Sequence, residues 1–274
     1  MAWVAPRIMG VVNTTPDSFS DGGKFIELDE AFAHAKLLIA QGANIIDIGG
    51  ESTRPGAERV PLEEEQRRTI DLIKKLSNQD VEISIDTMNS QTAVMAVEAG
   101  AHYVNDVSGG LADKDMFRSI ATLDCKYILG HWRGHSQVMD LLTGYQDIAK
   151  DVAAELAEQV AVAVASGISR DRIILDPGLG FAKDINQNWE LVARLDELEK
   201  LGLPILVGAS RKRFLAAVLD ELNPASVSNQ RRDVATAVLT ALLLQRGLWG
   251  VRVHNVELTA DTIALVKKLK EASQ

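Results

Sequence analysis

Arg172-Ile173-Ile174-Leu175-Asp176-Pro177-Gly178-Leu179-Gly180-Phe181 sets a short apolar run directly against a polar turn. The run 172–175 is too short for a helix and carries β-branched residues, while Asp-Pro-Gly reverses a chain. A helical pattern follows at 188–200, and the same unit recurs on both sides of it. Strand-type runs occupy 7–12, 44–48, 82–85, 103–104, 126–129, 204–207 and 250–253. Helical patterns occupy 28–41, 62–76, 90–98, 114–121, 148–166, 233–245 and 259–272. Several stop at a glycine suited to a left-handed C-cap, at Gly42, Gly100, Gly167, Gly202 and Gly247. Strand and helix alternate eight times with no linker, repeat or low-complexity stretch. That pattern predicts one domain over 1–274, an α/β fold of the single (β/α)8 TIM barrel class, in preference to an open doubly wound sheet.

The placement of polar residues points to a function. Each strand run ends in a polar or glycine cluster: Asn13, Asp47 to Glu51, Asp86-Thr87, Asn105-Asp106, His131, Asp176-Pro177-Gly178, Ser210-Arg211-Lys212, and Arg252 with His254. The other strand ends show nothing comparable. In a β/α barrel the C-terminal strand ends surround one cleft, so eight distant segments are expected to converge on one site there. Helix capping by Asp and Asn could explain any single cluster, but not eight together.

With 46% apolar and 24% charged residues the chain has the composition of a globular enzyme. A net charge of −9 argues against nucleic acid as a partner, and no apolar stretch approaches a membrane span of about 20 residues. Cys125 is the only cysteine, so no internal disulfide can form, which suits a reducing cytoplasm. Neither a Cys/His cluster of zinc spacing nor a nucleophile elbow is present.

Individual motifs refine the expected chemistry. The glycines of Gly49-Gly50-Glu51-Ser52-Thr53-Arg54-Pro55-Gly56 permit close backbone approach, and Ser52, Thr53 and Arg54 offer donors to an anion. Alternation puts Arg252 and His254 on one face of the last strand, as a phosphate site at a barrel top requires. Asp86, Asn105 and Asp176 end strands three, four and six, where carboxylates are costly unless they meet donors such as the edge of an amino-pyrimidinone. Arg211, Lys212 and Arg213 place three cations after strand seven. His131 reads equally as a ligand contact or as a satisfied core imidazole. Loops 17–24 and 52–60, rich in turn formers and charge, read as ligand loops, with Phe19 the aromatic in the first.

Taken in order, these motifs resemble dihydropteroate synthases. The resemblance rests on Asn13…Pro16-Asp17-Ser18-Phe19-Ser20-Asp21-Gly22-Gly23 and Asp47-Ile48-Gly49-Gly50-Glu51-Ser52-Thr53-Arg54-Pro55-Gly56. It continues through Ser84-Ile85-Asp86-Thr87, Val104-Asn105-Asp106-Val107, Asp176-Pro177-Gly178-Leu179-Gly180-Phe181, Ser210-Arg211-Lys212 and Arg252-Val253-His254. It implies a transferase that joins 6-hydroxymethyl-7,8-dihydropterin pyrophosphate to p-aminobenzoate by a dissociative displacement. By that resemblance Asp86, Asn105, Asp176 and Lys212 hold the pterin. Thr53, Arg54, Arg252 and His254 hold the pyrophosphate, Asn13 contacts Mg²⁺, and Phe19, Pro55, Lys212 and Arg213 surround p-aminobenzoate. Asp86, Asp176, Lys212, Arg252 and His254 form the implied catalytic set, and a homodimer through outer helices near the C-terminal end is implied as well, with sulfonamides as ligands of the family.

The chain departs from the family pattern at three positions. Thr14 replaces a usual Val, Arg213 a frequent Ser beside the aminobenzoate carboxylate, and Gly130 a bulkier residue, often Met, that flanks the pterin. Two alternatives carry different expectations: a methyltetrahydrofolate-dependent methyltransferase, which would not need the Ser-Thr-Arg-Pro-Gly loop or the Arg-Val-His pair, and a pterin-binding paralogue without turnover.

Overall fold

A computed structural model describes residues 4–14, 24–51, 59–222 and 227–273. Eight strands run in chain order: β1 (Arg7–Asn13), β2 (Ile45–Gly49), β3 (Glu82–Asp86), β4 (Tyr103–Asp106), β5 (Lys126–Gly130), β6 (Ile173–Asp176), β7 (Leu206–Val207) and β8 (Gly250–Val253). All pairings are parallel, in the order β6-β5-β4-β3-β2-β1-β8-β7. A parallel bridge between Leu175 and Ile205, with Leu175 N–H donating to Pro204 O at 2.8 Å, joins the two ends and closes the barrel.

The helices between the strands are α1 (Lys24–Ala40), α2 (Leu62–Leu76), α3 (Ser90–Glu98), α4 (Met116–Thr122), α5 (Ile148–Ala165), α6 (Ile185–Ala193), α7 (Asp196–Glu199), α8 (Arg213–Leu222), α9 (Asn229–Leu243) and α10 (Val256–Ala272). All eight expected strands are present, but the described helices number ten. The pattern at 188–200 is two helices. The first starts early because Asp184 and Gln187 form a capping box, and it ends where Arg194 leaves helical geometry (φ −115°, ψ 35°) and pairs with Asp147 at 2.8 Å. Helix α8 was hidden behind the cationic run that precedes it. It starts two residues after Arg211, which adopts a left-handed backbone (φ 60°), and it buries Phe214, Leu215 and Ala216. Ser228 and Asn255 cap α9 and α10, which start earlier than periodicity alone places them. Gly42, Gly100, Gly167 and Gly202 take the left-handed backbone expected of C-caps, whereas Gly247 does not.

Alternation along the strands divides the core into two. Outward residues such as Ile46, Ile83, Ile85, Tyr127, Leu175 and Val251 pack under the helices. Inward residues Met9, Ile45, Tyr103, Ile128, Ile174 and Leu206 form an apolar plug inside the barrel. The plug closes the interior from below, so polar side chains one pleat further along the strands line a cup that opens at the C-terminal end. Among the described residues no helix is long and apolar enough to cross a membrane.

Candidate active site

The inward row above the plug is polar. Two residues beyond Ile45 on β2 lies Asp47, beyond Tyr103 on β4 lies Asn105, and beyond Ile174 on β6 lies Asp176. The parallel register sets Asp47 beside Ser84, Gly49 beside Asp86, and Asp86 beside Asn105. Arg252 enters from β8, where Met9 is its neighbour. A row of carboxylates buried over an apolar plug needs a cation, and Arg252 supplies it. Its Nε donates to Asp47 Oδ2 at 2.6 Å and its Nη2 to Asp86 Oδ2 at 2.7 Å. Nη1 is engaged by neither carboxylate. Asn105 Nδ2 donates to the same Asp47 oxygen at 3.2 Å. Burial, with Asp47 and Glu65 nearby, lifts the Asp86 carboxyl to about 7 even though the Arg252 charge opposes the shift.

Three buried polar atoms of this row have no partner: Asp47 Oδ1, Ser84 Oγ and Asn105 Oδ1. Such atoms cost free energy unless a ligand meets them. All three can accept a hydrogen bond, so the cup is built for donors.

The cationic run after β7 divides three ways. Arg211 turns outward and clamps Asp233 of α9 with two hydrogen bonds, at 2.7 and 2.8 Å. Lys212 turns into the mouth, where its ammonium donates to Leu179 O and lies 4.7 Å from the centre of the Phe181 ring. Burial, partly offset by the Asp176 carboxylate, lowers Lys212 to about 8. Arg213 points away on the exposed start of α8 and pairs with Asp140 at 2.8 Å. Asp176 is fixed by the Gly178 N–H, which donates to its Oδ1 at 2.7 Å. Its Oδ2 faces the space left by Gly208, where an added Cβ would sit 3.7 Å away.

Ser210 orients His254. The hydroxyl oxygen accepts the His254 backbone N–H at 3.2 Å and lies 3.0 Å from Nδ1. The two contacts hold the His254 imidazole against the turn that follows β7. Asn13 ends β1 at the rim; a Cβ on Gly49 would lie 3.7 Å from both Asn13 Oδ1 and Asp86 Oδ2, so the two side chains flank one glycine. Thr14 uses its hydroxyl to reach Gly49 O at 3.1 Å, a bond that a valine could not make. Phe19, Thr53, Arg54 and Pro55 lie outside the described residues. The structure therefore brings together Asn13, Asp86, Asn105, Asp176, Lys212, Arg252 and His254 and sets Arg213 apart from them.

Gly130 is next to Asp176 in the ladder. A Cβ there would stand 2.7 Å from Val107 O and 2.8 Å from Val107 Cα, so the backbone that follows β4 fills the space a side chain would take. The cup wall at this point is peptide. His131 resolves as a satisfied core imidazole: it is 2% exposed and held between Glu155 and Lys183. Asp47, which the sequence placed in the polar cluster of strand two, and Ser84, quoted within a motif, were given no role there, although their inward parity with Ile45 and Glu82 marks them as cup residues. Glu65 of α2 lay beyond any sequence signal. Its buried carboxylate accepts from Thr87 Oγ1 (2.6 Å), Asn89 Nδ2 (2.6 Å) and Thr92 Oγ1 (2.8 Å), which ties down the segment that follows Asp86.

Comparison with known proteins agrees with this geometry. The model of a family described as pterin binding enzyme matches residues 9–254. A dihydropteroate synthase of Mycobacterium leprae is 42% identical over 267 residues, covering 97% of this chain and 94% of the relative. A solved dihydropteroate synthase of Xanthomonas albilineans with 4-aminobenzoic acid superposes with a TM-score of 0.88 at 38% identity, over 97% of this chain and 93% of that one. The enzyme of Anaplasma phagocytophilum with bound 6-hydroxymethylpterin-monophosphate superposes at 0.86, again 38% identical, over 97% and 100%. With a polar cup over an apolar plug and this likeness along nearly the whole chain, the protein belongs to the pterin-binding enzymes and, within them, to the dihydropteroate synthases.

Proposed function

We propose that the cup binds the pterin of 6-hydroxymethyl-7,8-dihydropterin pyrophosphate and that the chain, a transferase of the dihydropteroate synthase type, joins it to p-aminobenzoate. The observation that carries this reading is the set of unpartnered acceptors, Asp47 Oδ1, Ser84 Oγ and Asn105 Oδ1, beside the carboxylates of Asp86 and Asp176. A dihydropterin presents ring N–H groups and an exocyclic amine, which are donors. Asp86, Asn105 and Asp176 receive them, while Lys212 donates to a ring acceptor.

The leaving group lies toward β8. Arg252 offers Nη1 to the pyrophosphate, with His254, Thr53 and Arg54 as the further groups that hold it. As the bond from the methylene carbon to the pyrophosphate oxygen breaks, its electron pair departs with the oxygen. The anionic side chains of Asp86 and Asp176 favour the positive charge left on the pterin. The lone pair of the neutral p-aminobenzoate amine then forms the new C–N bond, and the acidic arylammonium that results releases its proton to water, so no strong base is needed. Phe19, Pro55 and Lys212 are the groups proposed for that second substrate, whereas Arg213 is engaged with Asp140 and takes no part in it.

Mg²⁺ fits the rim. No group of three His, Cys, Asp or Glu able to hold a metal exists among the described residues, and Asn13 offers a hard amide oxygen beside the cup. A magnesium ion held mainly by substrate phosphates and water needs few protein ligands, and Asn13 would hold it. When bound it supplies charge neutralisation to the leaving pyrophosphate. The reading extends to a cytoplasmic protein, supported by the single, buried and unbridged Cys125. It extends also to a homodimer through the apolar groove of about 560 Å³ between α8 and α9, where Val218, Val234, Val238 and Leu242 stand exposed.

A pyrophosphate-release assay with both substrates tests the activity. Turnover that requires p-aminobenzoate and falls at least about 100-fold in Arg252→Ala, the loss of one charge-assisted contact, supports the reading. Pyrophosphate release independent of the amine overturns it. Val238→Glu should halve the mass measured by sedimentation; an unchanged mass refutes that interface.

A further inference from the structure

Lys183 takes no part in the chemistry above, yet it is a cation only 4% exposed. Burial, reinforced by the charge of Lys212, works to lower its pKa well below the usual lysine range. Its surroundings oppose that. Nζ lies 2.8 Å from His131 Nδ1, 3.0 Å from Gly178 O and 3.0 Å from Phe181 O. Three acceptors match the three N–H bonds of an ammonium.

The far side of the imidazole explains why Nδ1 accepts. His131 Nε2 is 2.9 Å from Glu155 Oε2, and Glu155 is held in turn by Arg133. A carboxylate there accepts the hydrogen bond of the Nε2–H, and burial beside Lys183 keeps the ring neutral, its pKa lowered to about 4. Arg133 lies 3.6 Å over the Tyr145 ring and donates to Gly144 O at 2.8 Å, which roots the chain of contacts in α5 and the segment before it.

What Lys183 grips is the loop 177–182. Gly178, Gly180 and Ala182 all have left-handed backbones (φ 64°, 78° and 48°). For Ala182 that conformation is unfavourable and needs support from its surroundings. It turns the chain back so that Lys183 reaches under the loop. The other face of the same loop holds the cup: Gly178 N–H fixes Asp176, Leu179 O anchors Lys212, and a Cβ on Gly180 would meet Lys212 Cδ at 3.0 Å. The two lysines hold one loop through different carbonyls, Lys183 through Gly178 and Phe181 and Lys212 through Leu179.

We infer that Lys183, backed by His131 and Glu155, is a positioning residue that holds Asp176 and Lys212 in place for the pterin ring. This inference rests on the pterin-site reading above. The geometry supports it because every contact of the loop that faces the ligand row has a counterpart on Lys183 within two residues.

Calorimetric titration of 6-hydroxymethylpterin into the full chain tests it, with circular dichroism to confirm folding of each variant. Lys183→Met should bind at least 10-fold more weakly than wild type. The Lys183→Met/Asp176→Asn double variant should bind within threefold of Asp176→Asn alone, because both changes disable one device. A residue with a merely structural role would give independent, multiplying losses. A folded Lys183→Met within threefold of wild type, or a double variant that loses the product of the two single factors, overturns the inference. Should Lys183→Met not fold, His131→Asn decides: a 3- to 10-fold loss supports the strut, and binding within twofold of wild type overturns it. Wild type that fails to bind the pterin, or Asp176→Asn that binds it as wild type does, overturns the pterin site and this inference with it, so the two failures are told apart.

Discussion

Replacing Arg252 by methionine should remove the guanidinium that binds two carboxylates, Asp47 and Asp86, inside the barrel. Asp47 is fully buried and Asp86 nearly so, and the guanidinium spans them at 2.6 and 2.7 Å. Each contact is worth roughly 4 kcal/mol at an effective dielectric constant near 20. The two do not add. Asp86 sits at about 7 with the arginine present, so without it the carboxyl takes a proton near neutral pH and escapes most of its penalty. Asp47, whose Oδ1 already lacks a partner, is left as a buried charge. The expected loss is therefore that of one broken buried pair, about 3–5 kcal/mol. In a chain of this size that corresponds to a fall in Tm of about 10 °C, read by scanning calorimetry at pH 7.5. Adding Asp47→Asn to Arg252→Met removes the stranded charge and should return at least about 1 kcal/mol. A Tm within about 3 °C of wild type for the single variant, or a double variant less stable than the single, would refute the account of Arg252 as the counter-ion of the cup.

Asp176→Asn keeps the shape of the side chain but turns a donor toward the pterin donors; pterin affinity should fall by about 2–5 kcal/mol by calorimetry, and a change under threefold would remove Asp176 from the site. Gly130→Ala drives a Cβ to 2.7 Å from Val107 O, against backbone that cannot swing aside, and should cost about 1–3 kcal/mol in urea unfolding. Unchanged stability would mean that the β4 extension yields freely. The folded His131 is lowered from 6.5 to about 4, so the neutral ring favours the native state; that contribution is complete above pH 6.5 and is lost as pH falls through about 4. It amounts to about 3 kcal/mol at 1.4 kcal/mol per pH unit, and the stability advantage of wild type over His131→Asn should shrink across that window. A difference independent of pH from 7 to 4 would contradict the buried neutral imidazole.

Local chemistry makes much of this protein legible in its sequence. Strand alternation and helix periodicity depend on residues two to four apart, so eight strands and most helices could be read, and the polar ends of 45–49, 82–86, 103–106 and 173–176 located the mouth. The failures are also local in kind. Helix α8 was obscured because Ser210 to Lys212 read as part of the ligand-facing end of strand seven, and the start of α6 depended on the Asp184–Gln187 cap. Three cations in a row could not be told apart by spacing. Arg211 met Asp233, Lys212 met Leu179 and Arg213 met Asp140, and each partner is 22 to 73 residues away in the chain.

The counter-ion of the cup was equally out of reach, since Arg252 finds Asp47 and Asp86 across 205 and 166 residues of chain. So was the role of Lys183, whose partner His131 lies 52 residues earlier. Side-chain type and backbone period belong to the sequence and determine which elements form and which faces they bury. Which charge meets which is decided only when the pairing of β1 with β8 and the bridge between Leu175 and Ile205 close the barrel and bring residues from every strand around one largely buried cup. There an unpaired charge costs several kcal/mol, and each polar group is forced to take whichever partner the closed ring has put within reach.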